Sequence, residues 1–451
     1  MKTEELIIYR RLHADDLVRE CVSVIDAQLP TEMDKDALPE ASREAIAKIR
    51  LALDGVVHRL LMRAVVCGWR GNLWQAHLTD LLVNDENAFA LACERREVRA
   101  DTLRNAAALD LDGIAEWFSY DWEKAAAWLD VKSLKYALRY ETETPRSQVY
   151  NGAVAQRIET LKEALARATA KKDAGTGLRM RTLLEQFYRE TGVGTIGLHK
   201  AFRAEDGETL PVIRPIRNIL HVTLDDLVGY ENAKRRLTEN TEAFLAGRPA
   251  NNCLLYGDAG TGKSSSIKAI TNAYYGQGLR VIELYKHQTK MLPGIIDQIK
   301  NRNYRFIVYM DDLSFEEFET DYKYLKAVIE GGLEKKPENV LIYATSNRRH
   351  LIRESFSDKG KILDEDLHKN DTVQEKLSLA HRFGVTIYFG APGKADYEEI
   401  VRTLAARACI PLSDAELLRE ATRWEMTHGG KSGRTAAQLI DYLAGGYGAD
   451  E

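Results

Sequence analysis

A glycine-rich segment between a short apolar run and a helix constrains this chain more than any other part of its sequence. Residues 253–256 are typical of a buried strand, and residues 264–275 are typical of a helix. A strand before and a helix after are the context in which such a segment forms a phosphate-binding loop. The segment is Gly257, Asp258, Ala259, Gly260, Thr261, Gly262, Lys263 and Ser264, followed by Ser265.

The residue types in this segment suit a polyphosphate. Backbone N–H groups of the turn and of the following helix point inward and form an anion nest. The three glycines permit backbone angles and a close approach that a Cβ would obstruct. We expect Lys263 to reach the β- and γ-phosphates and the Ser264 hydroxyl to coordinate Mg²⁺. The segment therefore predicts nucleotide binding.

The composition is that of an ordinary globular protein. The 451 residues are 45% apolar and 29% charged, with a formal net charge of −5. No apolar run approaches the ~20 residues that span a bilayer, and the N-terminus lacks a signal-peptide pattern. The acidic balance disfavours a nucleic-acid coat, although it allows a local basic face. Five scattered cysteines without a Cys-x-x-Cys pair indicate buried, reduced thiols, so we expect a cytoplasmic protein.

Residues 1–190 are predicted to form an all-α N-terminal domain. Apolar residues recur at helical spacing across residues 41–62. Five of the six tryptophans lie between Trp69 and Trp128. We interpret them as packing in a helical bundle rather than as a surface on which bases stack. Residues 191–221 are predicted to be an extended linker.

Residues 192–197, Gly-Val-Gly-Thr-Ile-Gly, match the dinucleotide-binding fingerprint Gly-x-Gly-x-x-Gly. That fingerprint must follow a strand and open a helix. Here a helical run at 183–190 comes before it, and a strand-like run at 199–203 follows. We therefore interpret it as a helix stop and a turn into an extended segment.

From about residue 250, short apolar runs alternate with helices. Such alternation predicts a parallel sheet with helices on both faces. A nucleotide-binding core is predicted over residues 222–392, and a helical lid over 393–451. The runs lie at 253–256, 281–284, 306–310, 340–344 and 385–389.

Polar side chains follow two of these runs. Asp311 would hold Mg²⁺ through a water, and Asp312 would act as general base on the attacking water. The alternative is that two acids simply end a strand at a turn. After the next run, the amide of Asn347 would hold the attacking water, or alternatively it closes a turn, where Asn is common.

Residues 222–445 resemble an AAA+ ATPase, and more closely a bacterial P-loop family catalogued as a domain of unknown function, DUF815. The resemblance implies an AAA+ module with a five-stranded parallel sheet and a C-terminal helical lid. It also implies nucleotide binding with hydrolysis. The segments that carry it are FIVYMDDLSFEE (306–317), YLKAVIEGGL (324–333), VLIYATSNRRHL (340–351), EKLSLAHRFG (375–384) and SGR (432–434).

The resemblance assigns roles to several arginines. Arg382 would reach the γ-phosphate held by a neighbouring subunit, and Arg348 and Arg349 are rivals for this role. The alternative for Arg382 is a surface ion pair. Arg434, which opens a C-terminal helix at 435–443, would fold the lid onto the nucleotide of its own chain.

Three further residues would surround the base, and two positions depart from the family pattern. Leu227, Val228 and Tyr230 lie in a segment similar to the adenine-side segment of AAA+ modules. Asp312 stands where most relatives have Glu, and His381 stands where an Asp usually precedes the arginine.

Two functions remain open. The first is an Mg²⁺-dependent ATPase that forms a homo-oligomer, with ATP hydrolysed at subunit boundaries. The second is a nucleotide-gated adaptor with little or no turnover, which the Asp311–Asp312 pair and the acidic charge favour. Either would bind an unknown protein partner through the N-terminal domain.

Other functions fit less well. A protein-threading motor would carry an aromatic-apolar-glycine triplet, which residues 285–294 lack. Nucleic-acid binding through Lys286, His287 and Lys290 is possible but not indicated, because such cations are more often solvated. A nucleotide kinase would not explain Asn347 together with the arginines. Histidine spacing indicates no metal besides Mg²⁺, and no guanine-reading motif is present, so ATP is favoured.

Overall fold

The computed structural model describes residues 2–27, 40–96, 101–143, 146–171, 173–217, 219–314, 322–330, 337–347 and 382–447. The chain forms two compact units, Met1–His199 and Lys200–Glu451. The division between the units lies nine residues after the end of the predicted N-terminal domain.

The first unit is helical in its described residues, apart from one isolated β-bridge between Gly71 and Tyr140. Polar caps begin several of its helices: the Asp15 carboxylate accepts the Val18 N–H, and the Asn72 side chain accepts the Gln75 N–H. Its α-helices are α1 Asp16–Asp26, α2 Glu40–Cys67, α3 Leu73–Asn84, α4 Ala88–Glu94, α5 Asp101–Phe118, α6 Trp122–Leu129, α7 Leu134–Leu138, α8 Gly152–Ala170, α9 Thr176–Glu190 and α10 Gly194–Leu198.

The tryptophans of this unit belong to its core. Trp69, Trp74, Trp117, Trp122 and Trp128 are all buried. The indole N–H of Trp74 donates to the Trp117 carbonyl oxygen at 2.8 Å. The predicted packing role is confirmed, because buried rings offer no face to a base.

The segment with the dinucleotide fingerprint contains a turn and one short helix. α9 ends at Glu190, and Gly192 has a positive φ of 97°. α10 follows, and the chain then enters the strand β1, Ala201–Glu205. A helix rather than a strand comes before the fingerprint, so the segment lacks the arrangement of a dinucleotide site.

The second unit contains one sheet of seven strands, in the order β2-β1-β4-β5-β6-β3-β7. The β1–β2 pair is antiparallel, and every other pair is parallel. The strands are β1, β2 Val212–Pro215, β3 Cys253–Gly257, β4 Leu279–Glu283, β5 Arg305–Met310, β6 Val340–Ser346 and β7 Val385–Phe389.

All five predicted strands are present, but the predicted number of strands is wrong. The two additional strands, β1 and β2, lie within the segment expected to be a linker. In β1, Ala201, Phe202 and Ala204 are buried, whereas Arg203 and Glu205 are exposed. This period-two burial lets the segment pair with β4 and cover its edge.

The helices Glu231–Leu245 and Lys263–Tyr274 pack against the sheet in one cluster of buried residues, and three helices after β7 form the lid. β5 and β6 are apolar without alternation, as expected for strands buried on both faces. The lid has its own cluster of buried residues, centred on Tyr397, Val401 and Leu439. The α-helices of this unit are α11 Glu231–Leu245, α12 Lys263–Tyr274, α13 Leu292–Ile299, α14 Tyr322–Glu330, α15 Lys394–Arg407, α16 Asp414–Thr427 and α17 Gly433–Tyr447.

The cysteines are free, but they are not uniformly buried as predicted. Cys67 is half-buried and Cys409 is exposed, because these two lie at or just past helix ends; the other three are buried in the core. Within the described parts of the chain, no helix combines the length and apolar character needed to cross a membrane.

Candidate functional site

The glycine-rich loop lies at the carboxyl edge of the sheet, between β3 and α12. Gly257 has a φ of 138°, and a Cβ placed on it would lie 2.0 Å from the Phe389 carbonyl oxygen of β7. Gly260 and Gly262 also have positive φ. The loop conformation therefore requires glycine, and its close contact with β7 keeps it beside the end of that strand.

Lys263 is the first residue of α12, and its side chain is buried. Its Nζ donates to the carbonyl oxygens of Gly257 at 3.0 Å and Asp258 at 2.6 Å, and to Asn347 Oδ1 at 3.0 Å. Burial lowers the pKa of Lys263, although the charge of Asp258 opposes this shift. The ammonium group is thus held inside the turn of the loop, where an anion bound by the loop would meet it.

Asp311 follows β5 and accepts hydrogen bonds from three hydroxyl groups. Oδ1 of Asp311 receives hydrogen bonds from Ser264 Oγ at 2.7 Å, Tyr309 OH at 2.6 Å and Thr345 Oγ1 at 2.5 Å. Burial alone would raise the pKa of Asp311, but these hydrogen bonds outweigh it and lower that pKa below its ordinary value. Asp311 is therefore an ionised carboxylate joined to the glycine-rich loop through Ser264.

Asp312 and Asn347 are joined to each other and to the loop. Asn347 Nδ2 donates to Asp312 Oδ1 at 2.8 Å, while Asn347 Oδ1 accepts from Lys263. The Asp312 N–H donates to Thr345 Oγ1 at 2.9 Å. Asp312 has a φ of 48°, an uncommon conformation for a non-glycine residue and one found at functional sites. Asn347 therefore contacts the loop directly through Lys263, and the Asp312 side chain is linked to the loop through Asn347.

The oxygen atoms of Ser264 and Asp311 fit magnesium. Mg²⁺ binds few protein oxygens and completes its octahedron with waters and substrate phosphates. The Ser264 hydroxyl donates its proton to Asp311 and keeps lone pairs that can face a cation. Among the described residues, no cluster of three or more His, Cys, Asp or Glu side chains could hold a metal. The pair thus suits a cation that arrives with its own phosphate ligands.

The three residues expected beside the base face different neighbours. A Cβ on Gly262 would lie 3.2 Å from Leu227 Cδ2, so Leu227 lies against the loop. Val228 packs against the lid cluster. The Tyr230 hydroxyl donates to the carbonyl oxygen after β7, at Gly390, at 2.9 Å. The segment thus lies where the loop, the lid and the end of β7 meet.

Arg434 lies next to the loop of its own chain. Its backbone N–H, at the start of α17, donates to the Gly260 carbonyl oxygen at 3.2 Å. A Cβ on Gly260 would lie 2.9 Å from Ser432 Oγ and 3.1 Å from Arg434 Cβ. The first turn of the last lid helix therefore contacts the glycine-rich loop directly.

Arg382 lies at the amino ends of the parallel strands, whereas the loop lies at their carboxyl ends. It precedes β7 by three residues, whereas the loop follows β3, which pairs in parallel with β7. The register pairs Cys253 with Val385 and Gly257 with Phe389. At about 3.3 Å per residue, these two ends of β7 are about 13 Å apart. Arg348, Arg349 and His381 lie outside the described residues.

Sequence reasoning did not identify Tyr309 or Thr345. The signal for Tyr309 was its position two residues before Asp311, which places both side chains on the same face of the strand. Thr345 could be recognised only with the strand order, because it reaches Asp311 across the β5–β6 pair.

Comparison with known proteins gives one family and one group of structures. Residues 198–447 match the model of a family described as "Protein of unknown function (DUF815)". No curated protein gives a significant match. The chain is similar to the Holliday junction branch migration motor RuvB of Thermotoga maritima, with 17% identity and a TM-score of 0.34. A mutant of that protein gives 16% identity and a TM-score of 0.35.

Both alignments cover 49% of this chain and 63% of the RuvB chain, so this chain spans less than two thirds of the length of those structures. The family match covers more than half of the 451 residues. The predicted α/β fold with a C-terminal helical lid after a helical region is confirmed, apart from the number of strands. The chain belongs to the family described as "Protein of unknown function (DUF815)".

Proposed function

We propose that this protein binds ATP with Mg²⁺ and hydrolyses it at the interfaces between subunits of a homo-oligomer. One observation carries the proposal: a continuous hydrogen-bonded network joins the phosphate loop to two acids and an amide at one edge of the sheet. It is formed by Lys263, Ser264, Asp311, Asp312 and Asn347, with the Thr345 hydroxyl linking the two acids. Ligands of parallel α/β sheets bind at this carboxyl edge.

Within this network, Lys263 and the backbone N–H groups of the loop would bind the phosphates. Ser264 and Asp311 would hold magnesium, which neutralises charge on the β- and γ-phosphate oxygens when bound. Leu227 would contact the base from beside the loop, with Val228 and Tyr230 supporting that segment against the lid and β7. The direct contact between α17 and Gly260 would bring Arg434 to the same nucleotide.

Hydrolysis requires a water in line with the bond to the leaving ADP. Asp312 would accept the proton of this water as its oxygen attacks the γ-phosphorus. Asn347 fixes the Asp312 carboxylate through a 2.8 Å hydrogen bond and would hold the water between them. Little covalent chemistry falls to the protein, so this positioning would supply most of the rate.

The position of Arg382 favours sites shared between two subunits. Arg382 lies near the edge of the sheet opposite the loop of its own chain, so it would serve the nucleotide of a neighbour. Such a head-to-tail arrangement closes into a ring when the rotation allows it. Each complete site would then combine a loop from one subunit with an arginine from the next.

Measurement of the mass in solution tests the assembly. The wild-type protein is expected to form a larger oligomer with ATP and Mg²⁺ than with EDTA, because bound triphosphate would bridge the loop of one subunit and the arginine of another. Light scattering behind a sizing column gives the mass. A monomer under every condition, with full turnover, would contradict interface sites.

Asp312→Asn is expected to keep ATP affinity and to lower the rate of phosphate release by about 10²- to 10⁴-fold, the usual contribution of a general base. Asparagine keeps the size of the side chain but cannot accept the proton. Asp297→Asn, at an exposed ion pair on α13, is the matched control. Undiminished phosphate release from Asp312→Asn would remove Asp312 from the mechanism.

The second candidate function is a nucleotide-gated adaptor that recruits a protein partner through the N-terminal helices. The observation in its favour is that residue 312 is an aspartate, which is one methylene shorter than a glutamate, and is already hydrogen-bonded to Asn347. ATP-dependent assembly of the wild-type protein without phosphate release, at physiological Mg²⁺, would support this function over hydrolysis.

A further inference from the structure

Tyr309 and Thr345 both contact Asp311, one of the proposed magnesium ligands, but the proposed function gives neither of them a role of its own. Tyr309 is buried, and its ring belongs to the core cluster that includes Ile267 and Ile270 of α12. Thr345 is also buried, near the end of β6. Both hydroxyl groups nevertheless point to a single atom, Oδ1 of Asp311.

The backbone dictates this convergence. Side chains two residues apart on a strand lie on the same face, so Tyr309 and Asp311 are neighbours on β5 and its extension. The register pairs Met310 with Ala344, and one residue further this brings Thr345 beside Asp311. The Leu313 N–H donates to the Thr345 carbonyl oxygen at 2.7 Å, which keeps the two segments together beyond the strand ends.

The geometry of these contacts is that of strong hydrogen bonds. Distances of 2.5 and 2.6 Å are typical of hydroxyl groups that donate to a carboxylate. The Thr345 oxygen also accepts the Asp312 N–H at 2.9 Å, so one hydroxyl positions both acids. The third donor to Asp311, Ser264, differs from these two because it is itself expected to bind magnesium.

We propose that Tyr309 and Thr345 are positioning residues that hold Asp311 where it accepts the hydrogen bond of the Ser264 hydroxyl, so that the lone pairs of Ser264 face magnesium. The inference rests on the proposed function and adds to its metal site two residues that contact a magnesium ligand rather than the metal itself. Groups that orient metal ligands commonly change metal affinity by about 10- to 100-fold when they are removed. Ser264 alone cannot fix its own hydroxyl, because that group rotates freely about its bond to Cβ.

The test compares nucleotide affinity with and without the metal. A fluorescent, non-hydrolysable ATP analogue is titrated against each variant in EDTA and in saturating Mg²⁺, and the ratio of the two dissociation constants is the magnesium gain. Tyr309→Phe and Thr345→Val are each expected to lower this gain by about 10- to 100-fold while the affinity in EDTA stays unchanged. Thr345→Ser, which keeps the hydroxyl, is expected to retain the wild-type gain.

Tyr343→Phe is the matched control. Tyr343 is paired with Tyr309 across β5 and β6 and is equally buried, but its hydroxyl contacts Asn240 and Thr241 instead of an acid. Its removal is expected to leave the magnesium gain unchanged. Thermal unfolding of each variant separates loss of fold from loss of metal positioning. If Thr345→Val does not fold, the comparison of Tyr309→Phe with Tyr343→Phe tests the proposal by itself.

The outcomes separate this inference from the proposed function. An unchanged magnesium gain in folded Tyr309→Phe and Thr345→Val, or an equal loss in Tyr343→Phe, overturns the positioning role while nucleotide binding stands. If the wild-type protein binds the analogue in neither buffer, the proposed function itself fails, and the inference fails with it.

Discussion

Lys263→Ala is expected to weaken ATP binding by at least about 100-fold. Lys263 presents the one ammonium group held inside the loop among the described residues, 2.6 Å from the Asp258 carbonyl oxygen and 3.0 Å from Gly257. A hydrogen bond to a charged group contributes about 1.5–3 kcal/mol, so bonds to the β- and γ-phosphates together contribute at least about 3 kcal/mol, and 1.4 kcal/mol corresponds to tenfold in affinity. Calorimetric titration with ATP and Mg²⁺ gives the dissociation constant directly.

Lys268→Ala is the control for this experiment. Lys268 lies on the same helix, α12, and is exposed to solvent. Its removal changes the net charge by the same amount without touching the loop, so ATP affinity is expected to stay at the wild-type value. Equal affinities in Lys263→Ala and Lys268→Ala, with both proteins folded, would show that the triphosphate binds elsewhere.

Arg382→Ala is expected to lower the rate of ATP hydrolysis by about 1,000- to 100,000-fold in the assembled protein, with ATP affinity retained. An arginine that reaches the γ-phosphate from a neighbouring subunit stabilises charge that develops in the transition state, and its planar fork suits phosphate oxygens. Phosphate release at saturating ATP measures the rate. Arg235→Ala, at an exposed position on α11, controls for the loss of one positive charge.

Mixed oligomers then decide whether Arg382 acts on its own chain or on a neighbour. Lys263→Ala lacks phosphate binding but keeps Arg382, and Arg382→Ala has the reverse defect. In an equal mixture, about a quarter of the head-to-tail interfaces would join an intact loop to an intact arginine. Recovery of hydrolysis in the mixture is therefore expected, and its absence would assign the arginine to its own chain.

The same mixture tests the rival arginines. If the Arg382→Ala protein hydrolyses ATP when it is assayed by itself, Arg348→Ala and Arg349→Ala are each mixed with Lys263→Ala in the same way. The variant that is inactive alone and recovers in the mixture identifies the residue that acts between subunits. This design needs no assumption about the number of subunits in the ring.

Several features were predictable because they depend on neighbouring residues alone. The loop between β3 and α12 is specified by three glycines, each with positive φ in the structure, between an apolar run and a helix. The strand before Asp311 is apolar without a break from Phe306 to Met310, which indicates burial on both faces. In such segments, residues close in the sequence determine the backbone conformation.

Other features could not be predicted, because they depend on which distant segments pair. The burial pattern of β1 is clear only once β4 is known to need a partner at its edge. Residues 191–221 were predicted to be a linker without knowledge of this pairing, so the two strands that they contain were not predicted. The position of Arg382 relative to the loop likewise depends on the parallel pairing of β7 with β3.

The sequence by itself determined the phosphate loop, the five parallel strands and the side chains that end them, because each depends on a short run of consecutive residues. Only the tertiary structure decided that β5 lies beside β6, and thus that Tyr309, Thr345 and Ser264 all donate to one oxygen of Asp311. The physical reason is that strand order follows from burying apolar faces across the whole sheet, which no short segment specifies.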